Sequence, residues 1–334
     1  MIISRTPFRV SLFGGGTDYP TWFNQHGGAV LGMAINKYCY ISVRHLPPFF
    51  EHKHRIVYSE VENVVSLDEI KHPAVRAVLK HLNVERGLEI HHDGDLPARA
   101  GLGSSSSFVV GLLNSLRALD NKMSSQADLA DKATYIEQTA LGESVGNQDQ
   151  IWAAFGGFRR IDFMTDGSFQ QCPMMLSKER EQELTGSLML FFTGISRFAS
   201  GIAARKIANL NKRAGHLMRM KEMVDEAQEI INSPARFMTE VGQLLHESWL
   251  LKRDLASEVS NDRINEIYEA GREAGAIGGK LLGAGGGGFM LFFVEPANQA
   301  KVRARLGDLT EVSFSIEKEG SKIVVYEPDG PEGR

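Results

Sequence analysis

The stretch Leu96-Pro97-Ala98-Arg99-Ala100-Gly101-Leu102-Gly103-Ser104-Ser105-Ser106-Ser107 sets glycines and a run of hydroxyls between two apolar segments. Leu88 to His92 before it reads as a short strand, and Phe108 to Leu116 after it reads as a buried helix. A loop that becomes a helix N-terminus presents backbone N–H groups without intrahelical acceptors and the positive end of the helix dipole, and both favour an anion. Glycine lets the backbone close around phosphate oxygens, because no Cβ blocks the approach. The hydroxyls can bond those oxygens or ligate Mg2+. A flexible Gly/Ser linker has a similar composition, but here the apolar run follows without a spacer. No Gly-Lys-Ser/Thr occurs, so the stretch is not a Walker loop. On residue types it is a nucleotide or phosphate site.

Other stretches carry groups that such a site would use. Glu143-Ser144-Val145-Gly146-Asn147-Gln148-Asp149-Gln150 holds two carboxylates after a helix end. A carboxylate and a hydroxyl beside phosphate oxygens form an ordinary Mg2+ shell, and a second carboxylate can take a proton from an attacking alcohol; read alone, each is equally a surface charge. Asp18 lies in Gly14-Gly15-Gly16-Thr17-Asp18-Tyr19-Pro20, a loop after the strand Phe8 to Phe13. That place suits the binding of hydroxyls on a small polar ligand, and it equally suits an Asx-turn or cap. Arg9 alternates with Phe8 and Val10 as a solvated strand residue would, but its nearness to the glycine loop marks it as an electrostatic group. The run Gly283-Ala284-Gly285-Gly286-Gly287-Gly288 satisfies G-x-G-x-x-G. Its order is helix, glycines, strand, whereas a dinucleotide fingerprint requires strand, glycines, helix. It therefore reads as a loop packed tightly against another backbone or a ligand. His52, His54, His91 and His92 lack metal-site spacing, and no Ser–His–Asp set can be argued.

The elements that must position these groups are mixed in order. Strand patterns fall at Phe8 to Phe13, at Ala29 to Val43 with a turn near Asn36-Lys37, and at Arg55 to Tyr58. Helices are expected from Pro73 to Leu82 and from Gln126 to Leu141, the latter capped by Ser125, followed by an irregular segment from Gly142 to Gly157. Asp162 to Lys178 reads as weakly structured, and Ser187 to Thr193 as a strand. Helices dominate from Ser200 to Ala274 with a break near Asn232-Ser233-Pro234, and one from Asp262 to Gly275 leads into the Gly278 to Gly288 loop. A buried strand, Phe289 to Val294, a short helix from Pro296 and strands at Val312 to Ile316 and Ile323 to Tyr326 finish the chain. This mixture without strict βαβ repetition argues for an α+β fold in two domains, 1–165 and 166–334. The 334 residues are 43% hydrophobic and 23% charged, an ordinary globular balance. A net charge of −4 gives no general basic field for nucleic acid. Cys39 and Cys172 are too few for a disulfide framework, no apolar run spans a bilayer, and no signal-peptide pattern opens the chain, so a cytoplasmic protein is expected.

Three stretches, in this order, resemble the GHMP kinase superfamily: Pro7 to Tyr19, Pro97 to Ser107, and Lys280 to Phe289. The resemblance brackets nearly the whole chain. It implies an N-terminal domain like ribosomal protein S5 domain 2, a ferredoxin-like C-terminal domain, and ATP-dependent phosphorylation of a small-molecule hydroxyl. Carried over by position, Gly101, Leu102, Gly103, Ser104, Ser105, Ser106 and Ser107 would cradle the ATP phosphates. Ser105 and Glu143 would ligate Mg2+, and Asp149 would be the catalytic base. Arg9 would sit near the reacting oxygen. Gly15, Gly16, Thr17 and Asp18 would bind sugar hydroxyls, and Lys280, Gly285 and Gly286 would complete the phosphate and substrate region. Relatives often place adenine near Tyr58 to Leu67.

One departure narrows the substrate. Galactokinases carry Gly-Glu-His-Thr-Asp-Tyr in the first motif, where this chain has Gly14-Gly15-Gly16-Thr17-Asp18-Tyr19, so the Glu and His that help hold galactose are absent. With Gly146 to Gln150 and Thr193-Gly194-Ile195-Ser196-Arg197, the pattern looks most like bacterial heptose 7-phosphate kinases, and fucokinase domains are the nearest rival. The resemblance implies phosphorylation at the anomeric O1 in GDP-heptose biosynthesis for surface polysaccharide, with Arg197 as a clamp for the substrate's own phosphate. A non-catalytic ligand sensor of the same fold fits less well, because Ser105, Glu143 and Asp149 are all present. A sugar phosphate is the expected partner, nucleic acid and membrane are not expected, and a homodimer is left open.

Overall fold

The computed structural model describes residues 1–98, 100–195, 207 and 211–328. Its first layer is an eight-stranded sheet with the order β12-β1-β2-β5-β3-β4, to which a β6–β7 ribbon is joined through β2. The strands are β1 Ile2–Phe13, β2 Gly28–His45, β3 His54–Val57, β4 Val61–Val64, β5 Leu88–Gly94, β6 Phe158–Phe163, β7 Phe169–Pro173 and β12 Lys322–Tyr326. A second, four-stranded sheet runs β11-β8-β10-β9, from β8 Leu188–Phe192, β9 Gly278–Leu281, β10 Phe289–Phe293 and β11 Thr310–Glu311. The helices are α1 Pro20–His26, α2 Pro73–His81, α3 Ser104–Leu119, α4 Gln126–Tyr135, α5 Gln148–Phe155, α6 Lys178–Gly186, α7 Ala214–Asn232, α8 Thr239–Arg253, α9 Asp262–Glu273 and α10 Gln299–Arg305. The α+β class expected from the sequence is the observed one. Among the described residues no helix is long and apolar enough to cross a membrane.

β1 and β2 are the spine. From Thr6 to Phe13, β1 is buried at every position rather than on alternate faces. Helix α3 packs across β1 and β2, while α7 of the second half reaches the same two strands and α8 reaches β1. The turn expected at Asn36-Lys37 is instead a bulge in one continuous strand. Pro7 faces Tyr38 and Phe8 faces Ile35, so Asn36 and Lys37 are extra residues on β2. The polar pair that signals a turn is used otherwise: the Asn36 N–H donates to the Ser315 carbonyl at 3.0 Å, and the Asn36 side chain accepts from the Ser315 N–H at 2.8 Å.

Two stretches read as irregular are ordered. Gly142 to Gly157 contains α5, and Asp162 to Lys178 contains most of the β6–β7 ribbon. From beyond the 165/166 boundary, β7 and β12 both join the first sheet. The Gly278 to Gly288 stretch is a strand followed by the turn of a β9–β10 hairpin, so only residues 282–288 form the loop. The Val312 to Ile316 strand reduces to the short β11 before it and one bridge, Ile316 to Ile35.

The hairpin turn locks onto the serine-rich stretch. A Cβ on Gly283 (φ +71°) would lie 2.4 Å from Gly101 Cα, and one on Gly101 (φ +83°) would lie 2.7 Å from the Leu282 carbonyl oxygen. Two backbones from opposite ends of the chain touch there, with no room for a side chain on either. Gly283→Ala should therefore destabilise the protein by on the order of 1–3 kcal/mol. Denaturant unfolding checks this, and an unchanged midpoint would mean that the two loops do not pack in this way.

Candidate active site

The four serines are the first turn of α3, not a loop before it, and the N-cap is Gly103 in the left-handed conformation. The first intrahelical bond runs from the Ser107 N–H to the Gly103 carbonyl at 2.9 Å. The N–H groups of Gly103, Ser104, Ser105 and Ser106 thus precede the helical ladder, and those four residues line a cleft of about 380 Å3. Gly101, Arg9, Gly15, Gly16, Asp18, Asp149 and Lys280 line the same cleft. Sequence positions more than a hundred residues apart therefore meet at one helix N-terminus.

Arg9 is 5% exposed and grips Asp149 with two bonds, Nε to Oδ1 at 2.7 Å and Nη2 to Oδ2 at 2.8 Å. Its Nη1 donates to the Gly101 carbonyl at 2.7 Å, and its backbone N–H donates to the Leu102 carbonyl at 3.0 Å. A buried guanidinium needs such saturation. Burial pushes the Asp149 carboxyl above its ordinary range and the nearby Asp18 charge adds to this, while the Arg9 guanidinium pulls the other way. Asp149 stands at the start of α5 with Gly103 beside it: a Cβ on Gly103 would be 3.4 Å from its Oδ2.

Glu137 is the residue that the sequence reading missed. It is fully buried, and it accepts from the Ser105 hydroxyl at 2.7 Å, the Ser106 hydroxyl at 2.7 Å and the Gln150 amide at 2.6 Å. The family resemblance makes Glu143, with Ser105, an expected Mg2+ ligand. Glu143 lines the cleft, but the carboxylate that meets Ser105 is Glu137, brought there by a π-helical turn, Ile136–Ala140, that continues α4. A π-turn re-aims side chains relative to a regular helix, and here it brings Glu137 rather than Glu143 to the serine hydroxyls. A signal was available: Glu137 continues the buried face of Ala130 and Ala133. Burial pushes its carboxyl up to about 7, against the pull of the hydroxyl and amide bonds and with a further push from the Glu143 charge. Its hydrogen-bond donors, two hydroxyls and an amide, are all neutral. Glu137, the Ser105 hydroxyl and phosphate oxygens together make a donor set that fits Mg2+. Among the described residues no cluster of three His, Cys, Asp or Glu side chains could hold a metal ion.

Some expected site residues serve the scaffold instead. The Ser107 hydroxyl is buried and donates to the Pro7 carbonyl at 2.8 Å, and Leu102 is a core residue. Thr17 is buried and its hydroxyl ties Gly14 and Ala29 together, so it closes the first loop rather than facing the cleft. Gly285 and Gly286 pack against Val259, with the Gly286 N–H on its carbonyl at 3.0 Å, while Gly283 and Ala284 are the hairpin residues at the cleft. Lys280 is buried with its Nζ on the Leu12 carbonyl at 2.7 Å. Lys252, also missed, is 4% exposed, lines the cleft and donates to the Leu281 and Gly283 carbonyls at 2.6 and 2.7 Å. It falls on the buried stripe of α8 after Val241, Leu245 and Ser248, where a lysine is out of place unless it has work there. Arg197 lies outside the described residues.

The model of the GHMP kinases N terminal domain matches residues 69–157, and that of the GHMP kinases C terminal domain matches residues 223–309. The chain belongs to the GHMP kinase family. It is 31% identical to the D-glycero-alpha-D-manno-heptose 7-phosphate kinase of Campylobacter jejuni, over 96% of this chain and 98% of that protein. It is 26% identical to the bifunctional fucokinase/GDP-fucose pyrophosphorylase of Arabidopsis thaliana, over 93% of this chain but only 31% of that protein. A crystal structure of a D-glycero-D-manno-heptose 1-phosphate kinase from Bacteroides thetaiotaomicron superimposes with a TM-score of 0.80 at 23% identity, covering 98% of this chain and 100% of that one. The two-domain GHMP kinase fold and an ATP-dependent small-molecule phosphotransferase follow from these matches; GHMP kinases use ATP, typically with Mg2+.

The raised Glu137 carboxyl has a consequence for the metal-free enzyme. Its folded pKa of about 7 lies above the ordinary 4.5, so its contribution to stability is complete below about pH 4.5 and is lost as pH rises through 7. Between pH 5 and 8 the metal-free protein should lose on the order of 2–3 kcal/mol relative to Glu137→Gln. Unfolding midpoints of both proteins in chelator across that range measure it, and parallel profiles would contradict it.

Proposed function

We propose that this chain transfers the γ-phosphoryl group of ATP to the anomeric O1 of D-glycero-α-D-manno-heptose 7-phosphate, giving the 1,7-bisphosphate for GDP-heptose and surface polysaccharide synthesis in the cytoplasm. The observation that carries a kinase reading is Asp149, held by Arg9 beside the N-terminus of α3 in a cleft shared with Asp18. What supports the heptose phosphate is the full-length similarity to the Campylobacter jejuni enzyme, together with the glycine first loop that lacks the galactose-binding Glu and His.

In this reading the N–H groups and hydroxyls of Gly103 to Ser106 hold the ATP phosphates, as a helix N-terminus does. Ser105 and Glu137 would hold Mg2+, which would supply positive charge against the ATP phosphates. Asp149 accepts the O1 proton and Arg9 keeps it aimed at that oxygen. An anomeric hydroxyl is more acidic than an ordinary alcohol, so a carboxylate paired with a guanidinium is base enough, and the remainder is positioning. Adenine is placed beside Tyr58, His72 and Phe108. The His72 ring stacks on Phe108 at 4.9 Å and meets Tyr58 edge-on at 4.8 Å, next to Pro73 at the cleft wall. Asp18 binds ring hydroxyls, and Arg197 remains the proposed clamp for the 7-phosphate.

Coupled ADP release over heptose 7-phosphate, mannose, fucose, galactose and mevalonate, with NMR of the product, tests the substrate. Preferred turnover of fucose would favour the fucokinase reading, and no turnover of any of them would favour a sensor. Asp149→Asn should cut kcat by about 10²-fold or more while ATP binding survives; near-normal turnover would remove Asp149 from the role of base. Arg197→Ala should raise KM for heptose 7-phosphate more than KM for an unphosphorylated sugar, and equal effects would argue against the clamp.

A further inference from the structure

The cleft wall between the first loop and α5 carries a polar chain that the transfer chemistry does not use. The Ser11 hydroxyl donates to Gln148 Oε1 at 2.8 Å, Gln148 Nε2 donates to Asp18 Oδ2 at 2.7 Å, and Asp18 Oδ1 accepts from the Gly16 N–H at 2.8 Å. Ser11, Gly16, Asp18 and Gln148 all line the cleft. The direction of the amide is set from both ends. A hydroxyl donor meets its oxygen and a carboxylate meets its nitrogen, so the reversed amide would put oxygen against oxygen at Asp18.

This chain is more than a stitch between β1 and α5. Arg9 and Asp149 already join those two elements, two residues away on the strand and one on the helix, through a bidentate ion pair. A second, neutral link beside it adds little to the anchoring. It does fix Asp18, a carboxylate that is 2% exposed and that is in no ion pair among the described residues.

Gly15 points the same way. Its backbone is not in the left-handed region, so its conformation does not demand glycine. A Cβ there would lie 3.6 Å from the Ser11 hydroxyl and 3.9 Å from Gln148 Nε2, in ordinary contact with both. Neither strain nor crowding therefore accounts for the missing side chain. Its absence leaves that hydroxyl and amide uncovered on the cleft side.

An amide nitrogen has two N–H groups, and Asp18 takes one of those on Gln148. The wall therefore presents a carboxylate acceptor and an amide donor side by side. Two hydroxyls on adjacent carbons match that pair, one donating to Asp18 and its neighbour accepting from Gln148. We propose that Gln148, oriented by Ser11 and Asp18 and left open by Gly15, is a specificity-determining residue that reads a vicinal diol of the sugar. This rests on the sugar-kinase reading above and names the part of the substrate that the wall recognises.

The test is a protein-by-ligand cycle. Wild type and Gln148→Leu are assayed on D-glycero-α-D-manno-heptose 7-phosphate and on its monodeoxy analogues at each ring hydroxyl other than O1. Gln148→Leu should raise KM for the parent sugar by about tenfold or more and leave KM for ATP within about twofold. The penalty that wild type imposes for deleting one hydroxyl of the diol should shrink towards unity in the variant, a change that mere loosening of α5 would not produce. Gly15→Ala, whose Cβ meets only ordinary contacts, should raise sugar KM in the same way with an unchanged unfolding midpoint. An undiminished deoxy penalty in Gln148→Leu, equal rises in both KM values, or an unaffected sugar KM in Gly15→Ala would each overturn the assignment. Wild type that turns over no sugar would instead overturn the sugar-kinase reading, and this inference with it.

Discussion

The pair between Arg9 and Asp149 is the constraint on which the rest of the site depends. Arg9 is buried in a strand enclosed on both faces, and a charge there is tolerable because each guanidinium nitrogen has a directed acceptor. Those acceptors come from different places: Asp149 from the start of α5 and Gly101 from the phosphate-type loop before α3. One guanidinium therefore sets the distance between a carboxylate and a helix N-terminus. The same contact gives the strand a reason to carry an arginine among Phe8, Val10 and Leu12. It also brings Asp149 and the Arg9 stem against Gly103, whose left-handed backbone (φ +76°) favours glycine.

The second constraint is steric. Gly101 and Gly283 meet backbone to backbone, so the anion-binding turn of the first sheet is braced by a hairpin of the second. Lys252 and Lys280 reinforce the junction. One donates to carbonyls of the hairpin and the other to β1, and both bring positive charge to a cleft that already holds Asp18, Glu137, Glu143 and Asp149. The acidic groups line the cleft itself, and the two lysines stand at the seam between the sheets. A polyanionic nucleotide calls for that division of charge.

The three glycine-bearing stretches, Arg9, Asp18, Asp149 and Ser104 to Ser106 at the start of α3 were legible because their chemistry is local. Glycine runs, hydroxyl runs and a carboxylate after a helix end are visible as composition, and the strands around them alternate or run apolar. Glu137, Lys252 and Gln148 were not legible in the same way. Each sits on what reads as a helix face or in a polar stretch, and each acquires its meaning from a partner far away: Ser105 for Glu137, Gly283 for Lys252, Ser11 and Asp18 for Gln148. Thr17, Ser107, Gly285 and Gly286 were over-read for the converse reason. They have the residue types of a ligand loop, but their polar atoms or bare backbones are directed into the scaffold.

By itself the sequence determined an α+β chain, an anion-binding turn at a helix N-terminus, two further glycine loops and the family to which they belong. These are properties of short windows: backbone freedom at glycine, helix-end donors, hydrophobic period. Only the tertiary structure decided which glutamate meets Ser105, which of the glycines face the cleft, and that Asn36-Lys37 is a bulge rather than a turn. Those outcomes depend on register, on a single π-turn and on the packing of two sheets, which a window of neighbouring residues does not contain.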